Sequence, residues 1–89
     1  MTKFEYNDLY DRLVYGHDAD LWVENQRFFI EWNKEGITIY RMLGDTGSVV
    51  AVLHGDDKTE VVKELFDYQL IHGKCLNNSY QEVSILDIE

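Results

Sequence analysis

Between Ala19 and Met42 apolar side chains fall on every second position, and this alternation constrains the chain more than any other feature. Leu21 and Val23 alternate with Asp20, Trp22 and Glu24. Phe28, Ile30 and Trp32 alternate with Arg27, Phe29 and Glu31, and Ile37 and Ile39 with Thr38 and Tyr40. A period of two places successive side chains on opposite faces of a pleated strand, so the stretch predicts three strands. Asn25-Gln26 and Asn33-Lys34-Glu35-Gly36, rich in residues that tolerate left-handed backbone, divide them into a meander.

The turns also predict registers. A two-residue turn at Asn25-Gln26 sets Glu24 against Arg27, Val23 against Phe28, Trp22 against Phe29 and Leu21 against Ile30. A four-residue turn at 33–36 sets Trp32 against Ile37, Ile30 against Ile39 and Phe29 against Tyr40. Both choose the same inner face, which a slip of one residue would exchange for the outer one. One mismatch is left, Asp20 against Glu31.

The flanking segments read as follows. Thr2-Lys3-Phe4-Glu5 has the spacing of a capping box, and Phe4, Tyr6, Leu9, Tyr10, Leu13 and Val14 recur on one helical face, predicting a helix over 3–15 that Gly16 stops. Leu43 to Ser48 reads as a loop, and the continuous apolar run Val49–His54 as a buried fourth strand. Asp56 or Asp57 caps a second helix, with Glu60 placed to complete a capping box from Asp57. Its apolar face is Val61, Val62, Leu65, Phe66, Leu70 and Ile71, and Gly73 ends it. Tyr80 to Ile88 returns to alternation. The expected fold is α+β in the order α-β-β-β-β-α-β, an antiparallel meander sheet with two amphipathic helices packed on it, as a single domain over 1–89.

Seventeen acidic against eight basic residues give a formal charge of −9. Such a surface repels phosphate backbones and anionic lipid, so neither nucleic acid nor membrane is expected as a direct partner, whereas a basic protein would suit it. Aromatic residues at 13% and apolar residues at 45% exclude disorder. Cys75 is the only cysteine and cannot form an internal disulfide, no apolar run approaches a membrane span, and no signal-peptide pattern opens the chain. The expected location is the cytoplasm.

Candidates for chemistry are thin. His17-Asp18-Ala19-Asp20 and His54-Gly55-Asp56-Asp57 place a histidine beside carboxylates, and His72 lies three residues before Cys75. A zinc site needs three or four ligands held together, and aspartates at element ends are more simply caps and turn formers. His72 with Cys75 lacks a third orienting group for nucleophilic chemistry. Gly44-Asp45-Thr46-Gly47 contains the Asp-Thr-Gly of aspartic proteases, whose chemistry needs two such loops, and the flanking residues do not match that family. No catalytic residue, metal or cofactor is expected.

The second sheet face carries more information. Trp22, Phe29, Tyr40 and Met42 lie there among Glu24, Arg27, Glu31 and Thr38, whereas a solvated face would be polar. Two amphipathic helices are available, and cover by one of them is the simpler expectation. Left bare, such a patch marks a partner site. Sheet aromatics also serve RNA recognition, but there they are backed by basic residues, and here the neighbours are mostly acidic. The candidate partner-binding residues are Trp22, Glu24, Phe29, Glu31 and Tyr40.

At Gly16-His17-Asp18, through Asn25-Gln26-Arg27-Phe28-Phe29-Ile30 and Trp32, to Gly73-Lys74 and Tyr80-Gln81-Glu82-Val83, the chain resembles a group of small uncharacterised proteins from low-GC Gram-positive bacteria and their mobile elements. The resemblance implies a bacterial cytoplasmic origin and carries no activity or site residue. The expected function is a non-enzymatic protein-interaction domain that binds a protein partner or a second copy of itself. The alternative is an inhibitor or immunity-type protein that masks a basic nuclease or mimics nucleic acid.

Overall fold

A computed structural model describes all residues, Met1–Glu89. The first helix, α1 (Lys3–Tyr15), begins where the capping box requires: Thr2 Oγ1 accepts from Glu5 N at 3.1 Å while Glu5 Oε1 accepts from Thr2 N at 2.9 Å. Gly16 closes it in the left-handed region at φ 102°. Those bonds hold the Glu5 carboxyl below the ordinary glutamate range, the Thr2 backbone contact contributing most. A lowered folded-state pKa means that the cap's contribution is complete above the ordinary value and is lost as pH falls through the lowered one. Thr2→Ala should cost roughly 1 kcal/mol in urea unfolding at neutral pH. In the wild type the Glu5 carboxyl carbon should titrate below ordinary glutamates by NMR.

The strands are β1 (Ala19–Val23), β2 (Gln26–Asn33), β3 (Gly36–Leu43), β4 (Thr46–His54) and β5 (Val83–Ile88), all antiparallel to their neighbours in the order β4-β3-β2-β1-β5. The β2–β3 register is the predicted one, with Trp32 opposite Ile37 and Phe29 opposite Tyr40. The β1–β2 register differs. Leu21 lies opposite Phe28 and Val23 opposite Gln26, because the turn is Glu24-Asn25, at φ 46° and 61°, and not Asn25-Gln26. Moving a turn by one residue moves partners by two, so the faces are unchanged. The mismatch of Asp20 with Glu31 disappears, and Asp20 instead forms an ion pair with Arg27.

Other boundaries shift too. The expected loop at 43–48 is mostly strand, since Gly44-Asp45 makes a two-residue turn with Gly44 at φ 61°. The second helix, α2 (Lys58–Asp67), is capped by Asp57, which accepts from Thr59 N at 2.9 Å, but Glu60 pairs with Lys63 and does not complete a box. α2 ends before Leu70, which is buried in the following turn. A short helix, α3 (Leu76–Ser79), follows, and a 3-10 turn at Tyr80–Glu82 occupies the start of the expected last strand.

Core and helices share one side of the sheet. Leu9 and Leu13 of α1, Val61, Val62, Leu65 and Phe66 of α2 and Leu76 of α3 form one cluster with Leu21, Phe28, Ile30, Ile37 and Ile39. Trp32 closes its margin, its indole N–H donating to Leu13 O at 2.8 Å. No helix is long and apolar enough to cross a membrane.

Candidate interaction surface

With every helix on one side, the opposite face of the sheet is bare. Pairing arranges it in cross-strand rows. Towards the Glu24-Asn25 and Gly44-Asp45 turns runs Ser84–Trp22–Arg27–Met42–Gly47. Next comes Asp87–Asp20–Phe29–Tyr40–Val49, and the far row joins Glu31, Thr38 and Val52. The expectation that a helix covers this face is therefore corrected: both helices turn their apolar stripes to the side defined by Leu21, Phe28, Ile30 and Ile37, and nothing remains for the other.

The aromatic residues lie where the sequence placed them. Trp22 is 40% exposed and Val49 60%. Phe29 and Tyr40 are half-buried against one another, with ring centroids 6.3 Å apart at 34°. Between them, Met42 and Gly47 opens a shallow hollow of about 220 Å³. Glycine at 47 keeps it open, because a Cβ there would stand 2.8 Å from Met42 Sδ.

Two of the four charges on the face neutralise one another, Arg27 and Asp20, whereas Glu31 is bound by a phenol and Asp87, opposite Asp20, has no ion-pair partner. Arg27 Nε donates to Asp20 Oδ1 at 2.9 Å, and the carboxylate raises the guanidinium pKa further. Tyr40 Oη donates to Glu31 Oε1 at 3.3 Å; loss of hydration, then the Glu31 charge, pushes the phenol pKa up. Buried Thr38 accepts from Asn33 Nδ2 at 2.6 Å. Arg27, Asp20, Glu31 and Tyr40 can keep these bonds under a partner, which lowers the cost of desolvating the patch around Phe29, Tyr40 and Met42.

Of the five candidate residues, Trp22, Phe29, Glu31 and Tyr40 share this face. Glu24 does not join them. It sits in the β1–β2 turn, where its carboxylate binds Lys74, and Lys74 also reaches Glu82 at 2.8 Å. These two carboxylates raise the Lys74 ammonium pKa. Val49 and Gly47 complete the surface unforeseen, since 43–48 reads as loop and 49–54 as a strand buried on both sides. Pairing of Tyr40 with Val49 across the Gly44-Asp45 turn is the signal that would have found them.

The histidines are dispersed. His17 Nδ1 lies 2.7 Å from Glu89 O, His54 ends β4, and His72 stands in the turn after α2. Cys75 N donates to Asn78 Oδ1 at 2.9 Å, in a local turn. No group of three or more His, Cys, Asp or Glu side chains comes together to hold a metal. The Asp-Thr-Gly segment is the tip of the β3–β4 hairpin. No family model matches the chain, and neither a curated protein nor a solved structure shows significant similarity to it.

Proposed function

We propose that the chain is a non-enzymatic protein-interaction domain that engages a partner through the bare face of its sheet. One observation carries the reading: all the helices pack on one side, so Trp22, Phe29, Tyr40, Met42 and Val49 lie on the face that no helix covers, partly or fully exposed. Monomeric proteins rarely leave such patches without a use, and partially exposed Trp and Tyr are the side chains that most often dominate a contact.

The test is a doubly substituted chain, Trp22→Ser with Phe29→Ser, used beside the wild type as bait in a cell lysate and in sedimentation. Each ring should be worth about 2 kcal/mol to a partner, roughly thirtyfold in affinity. Far-ultraviolet circular dichroism should be unchanged, because neither side chain belongs to the buried core. A partner held by the wild type and lost by the double variant supports the reading. Equal recovery by both removes the face from the function.

A second reading, an inhibitor or immunity-type protein for a basic target, is favoured by the acid-lined hollow beside α2, where Asp56, Asp57, Glu60, Glu64 and Asp67 stand against the single ammonium of Lys63. It predicts binding that weakens steeply with salt.

A further inference from the structure

The two edges of the sheet are not alike. β5 carries Asp87, with Glu89 following it, as an edge exposed to water usually carries charge. β4, at the other edge, carries none. From Thr46 to Gly55 there are ten residues without Asp, Glu, Lys or Arg, the longest such run in a chain with 28% charged residues. Neither proline nor charge protects it. The only irregularity is a bulge at Val50, between the pairs Ile39–Ala51 and Tyr40–Val49.

The phase of the ladder shows which backbone groups are free. Gly55 N donates to Glu35 O at 3.1 Å, and Gly36 lies opposite His54. In an antiparallel ladder that makes Gly36–His54 a non-bonded pair, so Leu53 and Gly55 bond inward to β3. The N–H and C=O groups of Val52 and His54 then point outward along the free edge.

Beside this edge lies the hollow of about 700 Å³ that runs from His54 and Gly55 along α2. Glu60, Glu64 and Asp67, at spacings that share one helix face, line it with Asp56. Asp57 is engaged as the cap of α2, Glu60 reaches Lys63 at 3.5 Å, and Asp67 accepts from Asn77. Asp56 and Glu64 have no ion-pair partner.

We propose that the β4 edge docks an extended, lysine- or arginine-bearing segment of a partner protein, which adds to the sheet as a further strand while its cations face the α2 carboxylates. An uncharged edge supplies main-chain bonds, and the acidic wall selects the sign of the side chains. The charge decides between occupants. A second copy of this chain carries the same formal charge of −9 and offers the acidic wall no complementary cations, whereas a basic segment does. The inference rests on the chain being an interaction domain, but not on the aromatic face.

The test uses isotopically labelled protein and two blocked peptides, one alternating lysine with threonine and one alternating glutamate with threonine. The lysine peptide should slow hydrogen exchange at the amides of Val52 and His54, and the glutamate peptide should not. Asp56→Asn with Glu64→Gln should weaken the lysine peptide roughly fivefold. Val52→Pro, which removes an outward N–H and no ladder bond, should abolish binding. Should that variant fail to fold, Val50→Lys at the exposed bulge serves in its place and should also abolish it. The Trp22→Ser, Phe29→Ser chain should bind the peptide normally, which separates this site from the aromatic face. Lysine-peptide binding without protection at Val52 and His54, or unchanged by an edge variant that folds, overturns the proposal. So does protection that rises with protein concentration alone and doubles the sedimenting mass, since a second copy then occupies the edge.

Discussion

Phe66→Ala should lower the unfolding free energy by about 4 kcal/mol, within the range for emptying a buried phenylalanine site. The ring is 1% exposed and is the hub of the helix layer. It meets the ring of Tyr6 edge-on at 5.2 Å and 77° and that of Tyr10 at 5.3 Å and 81°. Aromatic pairs in this geometry add roughly 0.5–1.5 kcal/mol beyond burial. Alanine would therefore forfeit both the transfer of the ring from water and the contacts that hold α1 against α2. Tyr6 also donates through its hydroxyl to Asn77 of α3, and Asn77 donates to Asp67 of α2, so loosening α1 disturbs all the helices. A chain of this length has a total stability of about 4–13 kcal/mol, so the variant should approach the folding threshold. Its melting temperature should fall by roughly 20 °C. Phe29→Ala on the bare face is the control and should cost much less, because Phe29 leans on Tyr40 in a shallow hollow and not on the core. Equal losses for the two variants would mean that the helix layer is not docked through Phe66.

Where local chemistry and long-range packing agree, the sequence is legible. α1 was readable to the residue because Thr2, Glu5 and Gly16 each satisfy a backbone group at a helix end. The β2–β3 register was readable because Asn33 and Gly36 close a turn that permits only one alignment of Trp32 with Ile37. The β1–β2 register was misread because Glu24, a poor turn residue by propensity, takes a left-handed conformation at φ 46°. What competes with that preference is tertiary: the shifted register lets Asp20 grip Arg27, and the turned-out Glu24 meets Lys74, distant in sequence. The end of α2 was misread because Leu70 is as buried in a turn as it would be on a helix. Periodicity cannot tell those two uses of an apolar residue apart.

For the candidate site, the residues on the bare face were legible, but its exposure was not. Alternation separates Trp22, Phe29 and Tyr40 from Leu21, Phe28 and Ile39 without saying which set the helices choose. Topology makes that choice. β4 and β5 lie at opposite edges, so the segment carrying α2 and α3 must cross the sheet, and it crosses the side where α1 already buries Leu9 and Leu13. Topology also decides the exposure of β4. Val49 to Leu53 reads as a central strand by composition, and only the pairing of β5 with β1 leaves it at an edge.

Gly36→Ala and Gly44→Ala should have sharply unequal effects although both glycines adjoin hairpin turns. Gly44 stands at φ 61° with no atom within 4 Å of the position of a Cβ. Alanine there carries only the left-handed backbone penalty, about 1–2 kcal/mol. Gly36 stands at φ 140°, and a Cβ on it would lie 1.9 Å from Leu53 O, a backbone atom fixed in the β3–β4 ladder. Flexible side chains can yield to such a contact, but a carbonyl bonded across two strands cannot. The backbone region itself costs about 1–3 kcal/mol for a residue other than glycine, and the collision adds to it. Gly36→Ala should thus lose at least about 3 kcal/mol, or else shed β4 from the sheet at its His54 end. Urea unfolding measures the first outcome, and hydrogen exchange at Leu53 and Gly55, the amides that bond inward to β3, measures the second. Shedding β4 would carry away the Val52 and His54 edge, so the variant should also lose the lysine peptide, while Gly44→Ala should retain it. Equal costs at the two glycines would show that β4 is not held at Gly36 as described, and the outward direction of Val52 and His54 would lose its basis.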